Sequence, residues 1–285
     1  MSDKQEKPLT AKIEGVLPVG EHVEEVQNPD GEKARHRGVY LLPNLFTTAN
    51  LFAGFYSLVC TMSGQFNTAA MIIFIAMILD GLDGRVARMT NRQSAFGAEY
   101  DSLSDMVAFG LAPAVLAYQW ALIEMGQLGL GVSFIFAACA ALRLARFNTQ
   151  IGKVDKRWFI GLASPAAAGV VAGTVWAVWA ISEDGVAAED LHISFIMVFA
   201  AIVALAGLLM VSNVKYYSFK DFDFKGRVPF VVMLIAVLAF AIFVTDPPRV
   251  LLVVFLVYAA SGPVYMATRI RRKNNRNKNA TGVDS

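Results

Sequence analysis

The run Asp80-Gly81-Leu82-Asp83-Gly84-Arg85-Val86-Ala87-Arg88, followed by Gly97-Ala98-Glu99-Tyr100-Asp101-Ser102-Leu103-Ser104-Asp105, decides how this chain is read. It sets four aspartates at the junction of two apolar stretches, about 67–88 and 99–122. Helical spacing puts Asp80, Asp83, Gly84, Ala87 and Arg88 on one face of the first helix. It puts Gly97, Asp101 and Asp105 on one face of the second. The polar link from Met89 to Phe96 is short, so the two helices are antiparallel neighbours with their acidic ends together. A carboxylate at membrane depth costs about 2.5–3.5 kcal/mol even on the mildest scale, so four of them require compensation.

The surroundings are membrane-like. The chain has 285 residues, of which 56% are hydrophobic and 17% charged, with mean hydropathy +0.50. That is more apolar surface than a soluble domain hides. Stretches of about 42–61, 67–88, 99–122, 128–147, 159–181, 193–211, 228–245 and 250–268 approach or exceed the roughly 20 residues needed to cross a bilayer. The expectation is therefore an all-α integral membrane protein of about eight transmembrane helices. No apolar run begins near Met1, which predicts no cleavable signal peptide.

Of the 25 lysines and arginines, all but Arg249 fall on one side of this layout, in the terminal segments, alternate loops or adjoining helix ends. The positive-inside rule makes that side, and both termini, cytoplasmic. Three segments are expected: a flexible cytoplasmic arm over 1–40, a transmembrane catalytic domain over 41–268 and a basic, flexible tail over 269–285. Cys60 and Cys139 lie inside apolar runs, and His22, His36 and His192 are scattered without ligand spacing. The composition excludes a secreted disulfide scaffold, a disordered tail protein and a nucleic-acid binder. Trp120, Trp158, Trp176 and Trp179 are read as interfacial anchors or packing residues.

Four facing carboxylates cannot all stay charged in a poor dielectric without cations. Oxygen ligands without nearby His or Cys select Mg²⁺, Mn²⁺ or Ca²⁺ over zinc. Paired divalent ions suit displacement at phosphorus. Gly84, Ala87 and Gly97 clear room beside the acids, and Arg88 is placed to grip a phosphate. The competing structural reading pairs the acids with Arg85, Arg88, Arg143 and Arg146 and leaves the glycines to close helix packing.

The pattern Asp80-x2-Asp83-Gly84-x2-Ala87-Arg88-x8-Gly97-x3-Asp101-x3-Asp105 resembles the signature of the CDP-alcohol phosphotransferase family. The resemblance implies a multi-pass enzyme of the cell (inner) membrane. It would have two divalent cations, Mg²⁺ or Mn²⁺, at its cytoplasmic face, and would be a homodimer. Asp80, Asp83, Asp101 and Asp105 would be metal ligands, and Asp105 would also take the proton of the attacking hydroxyl. Gly84, Ala87, Arg88, Ser94 and Gly97 would contact the CDP-linked donor, joined by Asn44 and Thr47 from the start of the first span.

Within the family, the stretches Pro43–Gly54, Arg143–Asn148 and Val211–Tyr217 are most similar to the bacterial membrane-embedded branch whose donor is CDP-diacylglycerol and whose acceptor is L-serine. Ala163 stands where that branch would carry a proline. Arg143, Arg146, Asn148 and Lys215 are the acceptor-binding candidates, because an arginine fork suits the serine carboxylate. Other acceptors (glycerol 3-phosphate or inositol phosphate) remain open, as do a prenyltransferase and an ion transporter. A prenyltransferase would need a second acidic cluster on distant helices. A transporter would need polar groups toward the far side of the membrane.

Overall fold

The structure, a computed structural model, describes residues 26–27, 33–34, 41–89, 95–150, 158–181, 191–217 and 230–281. The first 41 residues form one unit and the remainder another. In the first unit, β1 (Val26–Gln27) pairs antiparallel with β2 (Lys33–Ala34).

The second unit is largely helical. Helix α1 (Leu41–Met62) leads into α2 (Phe66–Met89) through a tight turn. Gly64 supplies the left-handed residue there, at φ 73°. Gln65 N–H reaches back to Cys60 O and Gly64 N–H to Thr61 O, which satisfies the last carbonyls of α1 in a Schellman cap. Helix α3 (Ala95–Asp105) passes without interruption into a π-helical segment, Met106–Leu111, and then into α4 (Ala112–Trp120). The span read from the sequence as one helix is thus three joined pieces. It ends at Trp120, before a 3₁₀ turn over Leu122–Met125.

Next come α5 (Gln127–Gln150), β3 (Trp158–Ile160), α6 (Ser164–Trp179), α7 (Ile193–Val211), β4 (Lys215–Tyr217), α8 (Phe230–Thr245) and α9 (Pro247–Thr281). The fifth apolar stretch therefore starts as a strand, antiparallel to β4, and becomes helical only at Ser164. Gly161 makes that change of direction, at φ 83°, with its N–H on Val214 O at 2.8 Å. A β-carbon there would collide with Met210 O. Beyond Arg269 the helical backbone of α9 runs on to Thr281, since no glycine or proline interrupts the sequence between Pro263 and Gly282.

Among the described residues, four helical segments are long and apolar enough to cross a membrane: Leu45–Met62, Gln127–Thr149, Ile193–Val211 and Pro247–Arg269. Ser164–Trp179 and Val232–Thr245 are apolar but shorter. The eight stretches read from the sequence fall on α1, α2, the α3–α4 rod and α5 to α9.

Helix α6 is the centre of the bundle, buried along almost its whole length and packed on α2, α4, α7 and α9. Its Ser-Pro-Ala-Ala-Ala-Gly-Val-Val-Ala-Gly sequence explains that place. In lipid there is little hydrophobic force between helices, so small residues that permit close approach decide which helix goes inside. Gly169 abuts the Phe255 ring and Gly173 lies against Leu252 of α9. Trp120 is fully buried, edge-on to Phe199 at 5.2 Å, and Trp176 packs on Phe74 at 5.5 Å. These two tryptophans are packing residues.

Candidate active site

The last turns of α2 and the second half of α3 carry the four aspartates. Asp80, Asp101 and Asp105 are each half-buried, and each offers one carboxylate oxygen within 4.8 Å of the other two. Antiparallel neighbours with acids at i, i+4 spacing bring them together, as the helical faces predict. Asp83 is buried at 5% exposure and lies outside that triad. It accepts a hydrogen bond from Thr47 Oγ1 of α1, while its charge still acts on Asp80 and Asp101.

Helix α1 has a second contact with the acids. Asn50 Nδ2 donates to Asp105 Oδ1 at 3.1 Å. Ser104 Oγ donates to the Thr47 carbonyl at 3.0 Å, and the Thr48 and Tyr100 hydroxyls share a hydrogen bond of 3.0 Å. These bonds fasten α3 to α1 beside the cluster. Asn50 falls within the stretch Pro43–Gly54, where the sequence alone assigns it no role. The signal was present: Thr47 and Asn50 are a polar pair at i, i+3 in a mostly apolar helix.

The donor-binding candidates lie at this same end of α2 and α3. Gly84 is exposed, and no described residue comes within 4 Å of where its β-carbon would project. Gly97 is half-buried in the first turns of α3. Asn44 lies in the first turn of α1, and Ala87 and Arg88 in the last turn of α2, as backbone positions. Ser94 lies outside the described residues.

The four acceptor candidates separate clearly. Arg143 Nη1 donates to Ser164 Oγ at 2.7 Å, its Nε is buried without a hydrogen-bond partner, and its charge acts on Asp105 and Asp80. Arg146 instead ties α5 to the end of α7, through Val211 O at 3.1 Å and Asn213 Oδ1 at 2.6 Å. Asn148 bridges α5 to α3, accepting from Ser102 Oγ at 3.1 Å and donating to Glu99 Oε2 at 3.2 Å. Lys215 is exposed on β4, opposite Ile160. Sequence reasoning passed over Ser164, which lies beside Pro165 in the first turn of α6 and carries no motif of its own.

The donor set fits a divalent cation. It consists of hard carboxylate oxygens, and no His or Cys belongs to the described cluster. Among the described residues no lysine or arginine forms an ion pair with these acids, and the ion pair found is Arg249–Asp246 at 2.9 Å. The reading in which the acids serve only as structural bridges therefore finds no partner among the described residues. Arg143 offsets part of the charge from a distance, and three carboxylates this close need more.

The site thus joins aspartates clustered where two helices meet to a bundle that includes, among the described residues, four helices of membrane-crossing length. The CDP-alcohol phosphatidyltransferase family model matches residues 40–207, more than half of the chain, and the chain belongs to that family. Among its relatives is the CDP-diacylglycerol–serine O-phosphatidyltransferase of Helicobacter pylori strain 26695, 41% identical over 204 residues, covering 71% of this chain and 82% of the relative. The protein of the same name from H. pylori strain J99 is 36% identical over 242 residues, covering 85% and 98%. The archaetidylserine synthase of Methanothermobacter thermautotrophicus is 34% identical over 177 residues, covering 61% and 69%.

Proposed function

We propose that this chain transfers the phosphatidyl group of CDP-diacylglycerol to the hydroxyl of L-serine, giving phosphatidylserine and CMP. The observation that carries the reading is the convergence of Asp80, Asp101 and Asp105, with the Arg143 charge acting on Asp80 and Asp105. The serine acceptor in the names of the relatives supports the choice of alcohol.

Asp80, Asp101, Asp105 and the adjacent Asp83 would hold Mg²⁺ or Mn²⁺, which would supply charge neutralisation to the diphosphate and the departing CMP. The serine oxygen forms a bond to the phosphatidyl phosphorus as the bond from that phosphorus to the CMP oxygen breaks. Asp105 takes the hydroxyl proton, since an alcohol needs a base within hydrogen-bond reach. Most of the remaining catalysis is positioning and charge stabilisation. Gly84 and Gly97 leave room for the diphosphate. Arg88, Ser94, Asn44 and Thr47 are assigned to the nucleotide, and Ala87, with only a methyl group, leaves room beside them. Arg143 takes the serine carboxylate, since its guanidinium has a buried donor to spare. Arg146 and Asn148 hold the walls of the acceptor pocket, and Lys215 draws anions toward it.

The chain sits in the cell membrane as eight spans with both termini and the active site cytoplasmic. The distribution of lysine and arginine supports that orientation. A site at the membrane face lets the donor keep its acyl chains in lipid while its headgroup reaches water. The active form is a homodimer, which cross-linking in native membranes tests.

The deciding experiment offers purified protein CDP-diacylglycerol with L-serine, glycerol 3-phosphate or inositol phosphate in turn. CMP release that depends on serine is expected. Release only with a phosphorylated acceptor overturns the serine assignment and leaves the family chemistry intact.

A further inference from the structure

One face of α1 holds two carboxylates that belong to two other helices. Thr47 Oγ1 donates to Asp83 of α2, and Asn50 Nδ2 donates to Asp105 of α3. The two donors are three residues apart, hence on one face of α1. Asn50 has 0% exposure and Thr47 3%. A carboxylate that holds a cation only accepts hydrogen bonds, so in the cation reading the Asn50 amide turns its NH₂ toward Asp105. That orientation leaves Asn50 Oδ1 buried with no hydrogen-bond partner. A buried acceptor without a partner is costly, and an apolar residue would fill this place in an α1–α3 contact without that cost. What the amide offers that an apolar residue would not is its hydrogen bond to Asp105.

We infer that Asn50 is a positioning residue. Its N–H commits one oxygen of Asp105 and so fixes the carboxylate in the orientation it presents to Asp80 and Asp101. Thr47 does the same for Asp83. Helix α1 thereby sets the geometry of acids it does not itself carry. Outer hydrogen bonds of this kind orient metal ligands and tune their affinity. The inference rests on the reading of the acids as a cation site.

The test is a Mn²⁺ titration of the purified full-length protein in detergent, without either substrate, followed by electron paramagnetic resonance of free Mn²⁺. Asn50→Ala is expected to weaken Mn²⁺ binding by about 10–100-fold and to lower kcat by a similar factor. The KM for CDP-diacylglycerol and the melting temperature in EDTA should hold. Thr47→Val should weaken Mn²⁺ binding, and Thr47→Ser, which keeps the hydroxyl, should restore it. Unchanged Mn²⁺ affinity in Asn50→Ala overturns the inference, as does an equal loss in Thr47→Val and Thr47→Ser. If Asn50→Ala does not fold, the Thr47 pair decides. A wild-type protein that binds no Mn²⁺ sinks the cation reading and this inference together. A wild-type protein that binds Mn²⁺ but releases no CMP with serine sinks only the proposed reaction.

Discussion

Arg143 Nη1 donates to Ser164 Oγ at 2.7 Å, which aims the guanidinium from α5 across the first turn of α6. Its Nε is buried without a hydrogen-bond partner, and the proposed acceptor carboxylate would supply one. A hydrogen bond to a charged partner contributes about 1.5–3 kcal/mol, so Arg143→Gln is expected to raise the KM for L-serine by roughly 10–100-fold. Arg143→Lys should not restore it, because an ammonium lacks the planar fork. Serine titrations at saturating CDP-diacylglycerol measure both. An unchanged KM would remove Arg143 from the acceptor pocket.

Arg146 is one helical turn away and should behave differently. Its bonds to Val211 O and Asn213 Oδ1 join two helices. Arg146→Ala is expected to cost about 1–2 kcal/mol of stability with little change in the serine KM. Thermal unfolding and acceptor kinetics on the same preparation distinguish it from Arg143.

Asp101→Asn should move activity and stability in opposite directions. Losing one member of the acidic triad is expected to reduce CMP release by roughly 10³-fold, equivalent to several kcal/mol of charge stabilisation. In EDTA the same change relieves repulsion among three close carboxylates, so the melting temperature should rise. Added Mg²⁺ should then stabilise the variant less than the wild type, because ligand binding to the folded state is what raises its stability.

Gly54 lies against the π-helical segment that follows Asp105. A β-carbon at Gly54 would sit 2.7 Å from Ala108 Cα. Gly54→Ala should therefore push α1 away from that segment at a cost of about 1–3 kcal/mol. Asn50, one turn earlier on α1, would move with it. A lower melting temperature accompanied by weaker Mn²⁺ binding is the expected pair of results.

Chelation gives a direct check on the donor set. Treatment with EDTA should abolish CMP release, and Mg²⁺ or Mn²⁺ should restore it. Hard carboxylate ligands predict that soft, thiolate-seeking ions restore it poorly.

Most of the acidic site could be read in advance because helical periodicity is local. Asp80, Asp101 and Asp105 share helical faces whatever the rest of the chain does, and a short link between two helices brings those faces together. The apolar stretches were legible for the same reason. Their ends were less so. Trp158–Ile160 is apolar enough to be taken for the start of a span, yet its backbone pairs with β4, some 55 positions later in the chain. The π-helical segment after Asp105 was hidden too, since nothing in Met106–Leu111 departs from ordinary helix composition.

The order of residues alone determined that four carboxylates would gather near one end of a helix pair, because 3.6 residues per turn fixes which side chains share a face. Only the folded chain decided that three of them would group while Asp83 turned to Thr47. It also decided that Asn50 would hold Asp105, and that Arg143 would keep a donor to spare while Arg146 was used up on Asn213. Those outcomes depend on how far α1, α5, α6 and α7 rotate and approach one another. Small-residue packing across the bundle sets that, and no local spacing encodes it.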